Sequence, residues 1–429
     1  MEKHAAPKVA VSVFYNVGSK NEIDGQRGIT RLIVNLMSKG TKKYSAEKAT
    51  RIRAEYNAHY GDNSNRDRTY FYTELPVEYI EFALDFEADR MGSFIIDEEM
   101  LAKSKAEHKT NMEELYNNQL NSTFSNLTGE FMPIGHPYKI HPWGSWEQVD
   151  TLSVKTCQDY FDTFFAPNNA VFVVVGDILP KKITKFIYDY FSSLLPTDHI
   201  PTEPDLSFKN VNDKTLEFHI KNPTFPLYSN YTGIMFMIPT ARDDDAIILE
   251  HFAKILLMDG IRGGDLFKQY SKNRRLMVLS FVNIDVRLGP SSFLVVGMNV
   301  LRNGSIKKIK SRILSTFKSI GKIGIDQELL DQYRKIELVR EYKNGYEFWR
   351  TARKLGNAEL IYGDYKIYNR KMDILEELSN EDFKKVTTLY LHEGNINTFS
   401  IKENKKTWST LFLSFWANQI VFRFWDPFH

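Results

Sequence analysis

Hydrophobic spacing divides the chain into alternating helical and extended stretches. From Gly28 to Thr41 (GITRLIVNLMSKGT), Ile29, Leu32, Ile33, Leu36 and Met37 recur at i, i+3, i+4, i+7 and i+8, the period of a helix with one apolar face. Asp24, Gly25 and Gly28 lead into it and Gly40 stops it. Residues 9–15 alternate Val, Val, Val and Tyr with small or polar positions, which predicts a strand. The unbroken apolar run 170–175 predicts a strand buried on both faces. Further helices are predicted over 45–55, with Ser45 as N-cap of a partial capping box, over 77–94, from the cap Asp97 into the 110s, over 153–165 and over 180–196.

The second half repeats this order weakly. Its pattern predicts a strand at 234–238, helices at 243–257 and 264–271, and strands at 278–286 and 292–299. Helices follow at 306–320, from the cap Asp326 to 342, at 346–361, and after the N-cap Ser379, where Glu381 and Asp382 suit the helix dipole. A duplicated unit of this kind predicts an α+β fold of two homologous half-domains, each a mainly antiparallel sheet with helices packed on one face. Residues 1–196 form the expected first domain, the Pro-, Asp- and Asn-rich stretch 197–221 a linker, 222–401 the second domain and 402–429 an aromatic tail.

Composition narrows the function classes. A length of 429 residues predicts two domains, and 42% hydrophobic and 26% charged residues with a net charge of +2 describe a globular protein without a nucleic-acid field. The single cysteine, Cys157, excludes an intrachain disulfide and reads as a buried, inert thiol. The first residues, MEKHAAPK, have no apolar signal core. In the tail, residues 407–422 are uncharged, but the 16-residue stretch is broken by Asn418 and Gln419 and falls short of a membrane span. A docking segment is the expectation there.

Several stretches carry a shared signature: VSVFYNVGSKNE before the helix, NA at 57–58 with Asp67, Thr69 and Tyr72, EADRM at 87–91, GHPYKIHPWGSWEQVDTLS at 135–153 and APNNAVFVVVGDI at 166–178. Together they resemble the pitrilysin/insulinase family of zinc metallopeptidases, in its mitochondrial-processing-peptidase-like branch. In that family the helix reads roughly G-x-A-H-x-x-E-H-M-x-F-x-G-T. Its two His residues bind zinc, and its Glu activates water. Gly28, Gly40 and Thr41 keep this frame, but Arg31, Val34 and Asn35 stand at the His, Glu and His positions. A permanent cation, an aliphatic side chain and a neutral amide do not make a catalytic zinc site. No catalytic residue of the motif is retained, and the chain is expected to lack its own activity.

The resemblance also implies roles elsewhere. Glu114 would occupy the position of the third zinc ligand, with Glu107 two turns before it as its outer neighbour. Asn57, Ala58 and Thr69 would belong to a strand beside the peptide cleft. In the second half Ser271 and Val278 fall where the family has a substrate-holding Arg and Tyr. His136 and His141 each precede Pro in a Gly-rich turn and are expected to shape the loop. Because the family has a further strand before this point, the strand at 9–15 would lie beside an uncovered or partner-filled edge, and a lost leader would favour the bacterial periplasm or another extracytoplasmic site.

Three readings follow. The first is a silent half-chamber that pairs with a related active zinc peptidase subunit, or with itself, and binds peptides. The second is a zinc endopeptidase with ligands displaced to His59, Glu107, His108 or Glu114. The third is a purely structural subunit of a larger assembly. In the first reading the chain has no cofactor of its own, zinc sits only in the partner, and neither nucleic acid nor membrane is bound.

Overall fold

The computed structural model describes residues 1–3, 6–117, 119–208, 214–220, 230–261, 278–299 and 306–403. In chain order the elements are β1 (Lys8–Tyr15), α1 (Ile29–Lys39), α2 (Ala46–Glu55), β2 (His59–Ser64), β3 (Thr69–Pro76), α3 (Ile80–Gly92), α4 (Glu98–Asn117), α5 (Gln119–Ser125), α6 (Leu127–Phe131), α7 (Trp146–Thr151), α8 (Val154–Phe164), β4 (Ala170–Gly176) and α9 (Pro180–Phe191). The second half supplies β5 (Thr215–Ile220), β6 (Asn230–Ile238), α10 (Asp244–Ile261), β7 (Val278–Asp285), β8 (Ser291–Asn299), α11 (Ile306–Ile323), α12 (Gln327–Asn344), α13 (Phe348–Tyr362), α14 (Ile367–Glu377), α15 (Asn380–Tyr390) and β9 (Ile396–Glu403). The fold is α+β, as the repeated pattern predicts.

Two compact units share this chain, and neither is contiguous. The first comprises residues 1–112, 132–206 and 334–376; the second comprises 113–131, 207–333 and 377–429. This division differs from the sequence boundaries at 196 and 222 by the exchange of two segments. The stretch 197–221 is also not loop throughout, because its end forms β5, which pairs in parallel with β9.

In the first unit the sheet order is β2-β3-β1-β4, antiparallel throughout. β1 is therefore interior rather than beside an open edge, and β2 and β4 are the edges among the described residues. Seven of the eight β1 residues are buried because helices cover both faces. Val13 and Tyr15 meet α1 and α8, and Val9 and Val11 meet α3. On the opposite face Ala10 and Val175 pack against Phe348 and Ala352 of α13, a helix from late in the chain. The run 170–175 is only half-buried over residues 170–174, contrary to the expectation of burial on both faces, because β4 is an edge strand whose outer side is met only at its end, by residues 1–3. Glu74 of β3 accepts a hydrogen bond at 3.0 Å from the Trp349 N–H in the first turn of α13, where a carboxylate meets the positive end of the helix dipole.

In the second unit the order is β5-β9-β6-β8-β7, mixed only through the β5–β9 pair. Phe252 of α10 lies with ring centroids 5.6 to 6.0 Å from Phe293, Phe317 and Phe383, joining β8, α11 and α15 in one aromatic core. Ser379 and Asp382 form the reciprocal cap of α15. Among the described residues no helix is long and apolar enough to cross a membrane. The expected helix at 264–271 and the tail beyond residue 403 lie outside the described residues.

Gly356 fixes how closely α13 approaches β1. A Cβ built there would lie 2.3 Å from the Phe14 ring. In an exposed helix, replacing Gly by Ala stabilises by up to about 1 kcal/mol. Here the sign reverses: Gly356→Ala is expected to cost about 1–3 kcal/mol in denaturant unfolding, and a neutral or stabilising result would show that this contact does not set the packing.

Candidate functional site

The site is built around the first turn of α1. Gly28 adopts φ 98°, a left-handed conformation, and a Cβ on it would lie 2.7 Å from the Trp143 carbonyl oxygen and from a Val149 methyl. The buried carboxylate of Glu22 accepts from the Gly28 N–H at 2.8 Å and the Thr30 N–H at 3.0 Å, satisfying two donors at the helix start. The Thr30 and Tyr160 hydroxyls pair at 2.8 Å. Ile29, Leu32, Ile33, Leu36 and Met37 are buried together with Val13, Tyr15 and Phe71, so the periodic face is the one that meets the sheet. Burial pushes the Glu22 carboxyl up to about 7, against the pull of its two backbone donors and of Arg27.

The three degenerate positions point in different chemical directions. Arg31 donates from Nη1 to Asp62 Oδ1 of β2 at 3.2 Å, and its guanidinium lies 5.0 Å from the centroid of the Trp143 ring. Asp62 also accepts from the Ser38 hydroxyl at 2.7 Å, so one carboxylate ties two turns of α1 to the strand. Val34 is fully buried in the core cluster. Asn35 is half-buried, and its Nδ2 has no hydrogen-bond partner; the Arg31 Nε is buried and also unpartnered.

The acidic positions on α4 are both solvent-exposed. Glu107 is exposed and pairs with Lys39, and Glu114 is exposed and belongs to a segment of the second unit. Ser104 of α4 donates to the Leu32 carbonyl of α1 at 3.4 Å, and His108, one position beyond Glu107, is fully buried. Its Nε2 donates to the Trp143 carbonyl at 3.0 Å and its ring lies 5.1 Å from the Trp143 ring, which leaves a buried Nδ1 without a partner. Burial, aided by the Arg31 cation and opposed by the bond to the Trp143 carbonyl, lowers the pKa of this imidazole. His59 lies on the other face of β2, its ring 5.3 Å from Tyr72 and from Trp349.

The expected peptide-binding residues have structural roles of their own. Asn57, at φ 49°, takes the left-handed position that ends α2, and the Ala58 N–H donates to the Arg53 carbonyl at 2.8 Å. Thr69 is buried and its hydroxyl donates to the Val17 carbonyl at 3.0 Å. The segment expected to be a strand beside the cleft is a hairpin, in which β2 pairs β3 from His59 opposite Glu74 to Ser64 opposite Thr69. The outer side of β2 has no strand neighbour among the described residues. In the loop before α7, His136 Nδ1 accepts from the Tyr138 N–H and His141 Nδ1 from the Trp143 N–H, so both imidazoles brace turns. Ser271 lies outside the described residues, and Val278 opens β7. Cys157 is buried, and burial raises its thiol to about 11.

These residues do not fit a catalytic zinc ion. Arg31 would repel a divalent cation, Val34 offers no base, and Asn35 is a weak donor. Among the described residues no three His, Cys, Asp or Glu side chains come together in a way that could hold a metal. Sequence reasoning missed Asp62, Ser38, Trp143 and Glu22. Trp143 and Glu22 sit inside the quoted motif stretches, but nothing local marks Asp62 as the partner of Arg31.

The chain belongs to the insulinase family of peptidases. Residues 1–137 match Insulinase (Peptidase family M16), and residues 151–337 match the Peptidase M16 inactive domain. It is 24% identical over 399 residues to the zinc protease PqqE of Helicobacter pylori, covering 89% of this chain and 87% of that protein. The crystal structure of a protease from Helicobacter pylori has the same fold, with a TM-score of 0.80 at 19% identity over 93% of this chain and 95% of that one. The periplasmic protease PqqL from Escherichia coli also shares it, with a TM-score of 0.71 at 13% identity; there 96% of this chain covers 48% of that one.

Because Glu22 has a folded pKa raised above its unfolded value, its contribution to stability is fully present below about pH 4.5 and is lost as pH rises through about 7. Between pH 5 and pH 8 the wild type is expected to lose on the order of 3 kcal/mol more unfolding free energy than Glu22→Gln. Equal pH dependence in urea unfolding of the two proteins would contradict this account of the helix anchor.

Proposed function

We propose that this chain is a non-catalytic insulinase-family subunit that binds extended peptides and pairs with a related zinc-bearing subunit to enclose them. The observation that carries the reading is α1 itself. Its frame is kept, with Gly28 against Trp143, the Glu22 anchor and the buried apolar face, while positions 31, 34 and 35 carry an ion-paired cation, a buried aliphatic and an amide. A helix that no longer needed its place would not need so close an approach at its first residue.

Peptide binding is supported by β2. An exposed edge strand offers unpaired N–H and C=O groups to an added strand, and β2 presents such an edge beside α1. Pairing is supported by length: PqqL is about twice as long as this chain and accommodates it as one part, so a second chain of similar size would supply the complement. The displaced-ligand alternative has little to work with. Glu107 is tied to Lys39, His108 to the Trp143 carbonyl, and His59 faces away across β2.

The purified chain alone is expected to carry no stoichiometric zinc by elemental analysis and to leave a quenched fluorescent peptide uncut. Recovered from its native source, it is expected in a one-to-one complex with a chain that has an intact His-x-x-Glu-His motif. Stoichiometric zinc in the lone chain, with cleavage abolished by a chelator, would overturn the reading.

A further inference from the structure

Three buried polar side-chain atoms on α1 and α4 lack partners. Arg31 Nε and Asn35 Nδ2 are donors one helical turn apart on the same face of α1, and His108 Nδ1 is an acceptor in a fully buried ring that shares the Trp143 indole with Arg31. Buried donors without acceptors are costly, at about 1–3 kcal/mol each. The two donor atoms are themselves buried while the rest of each side chain keeps part of its surface in solvent, so a clamp built on them requires a rotamer change to meet an incoming acceptor. Arg31 is also bonded to Asp62, a residue of β2 itself.

We propose that Arg31 and Asn35 form a clamp for one main-chain carbonyl of a peptide added along β2, a role that rests on the peptide-binding reading above. A carbonyl oxygen has two lone pairs and accepts from both donors. A carboxylate is the poorer fit, since Asp62 already offsets the Arg31 charge and a second anion would sit unpaired beside it. The clamp holds the carbonyl without attacking it, because Val34 places no base at that turn.

The test is fluorescence anisotropy of labelled extended peptides in which each backbone C=O is replaced in turn by CH2. One position is expected to cost about tenfold or more in Kd with the wild type, and less than about twofold with Arg31→Ala. Asn35→Asp, which is isosteric and turns a donor into an acceptor, is expected to weaken the parent peptide by about tenfold with an unchanged melting temperature. Additive losses from carbonyl removal and Arg31→Ala would overturn the clamp and leave peptide binding standing. Loss of binding on C-terminal amidation would assign a carboxylate and overturn it as well. No binding of any peptide by the wild type would overturn both the clamp and the reading beneath it.

Discussion

The geometry of the site depends on how the first turn of α1 is held. Gly28 must lie against the Trp143 carbonyl, which only a residue without a side chain permits, and the helix must then start with its free N–H groups buried. Glu22 resolves that conflict by accepting from Gly28 and Thr30. The arrangement brings Trp143 to the side of the helix, where it stacks on Arg31 and takes the His108 N–H through its carbonyl. One buried carboxylate thereby positions residues drawn from α1, α4 and the loop before α7.

On that scaffold the chemistry has changed sign. In a zinc peptidase of this family the helix would offer two neutral imidazoles to a divalent cation and a carboxylate to its water. Here the helix carries its own cation, neutralised by Asp62, and donors rather than metal ligands. A guanidinium can hold an oxygen but cannot generate a nucleophile from water. Ser38 and Arg31 meet on the same Asp62 carboxylate, so the helix and the edge strand are fastened together.

Much of the fold was legible because periodicity reports which face of an element is buried. The five apolar positions of α1 are all in the core, and the family signature follows the same frame. What periodicity does not report is the partner. Nothing in residues 334–376 says that α13 covers the first sheet rather than the second, since its apolar stripe would serve either. β5 was hidden because its alternation of Leu216, Phe218 and Ile220 with polar residues ends a Pro-, Asp- and Asn-rich stretch, and because its partner β9 lies about 180 residues away. The spacing of Glu107 and Glu114 shows that they share a helix face but not where that face points; both are exposed, and the buried titratable group is His108, about 100° further round. The link from Arg31 to Asp62 was illegible for a similar reason: it depends on the register of β2 against β3, which leaves Asp62 on the α1 side.

The most direct test of the central claim is native mass spectrometry of the purified chain with an extended peptide and zinc both present. The account predicts a complex whose mass is the metal-free chain plus one intact peptide. A zinc-loaded chain accompanied by peptide fragments would contradict it.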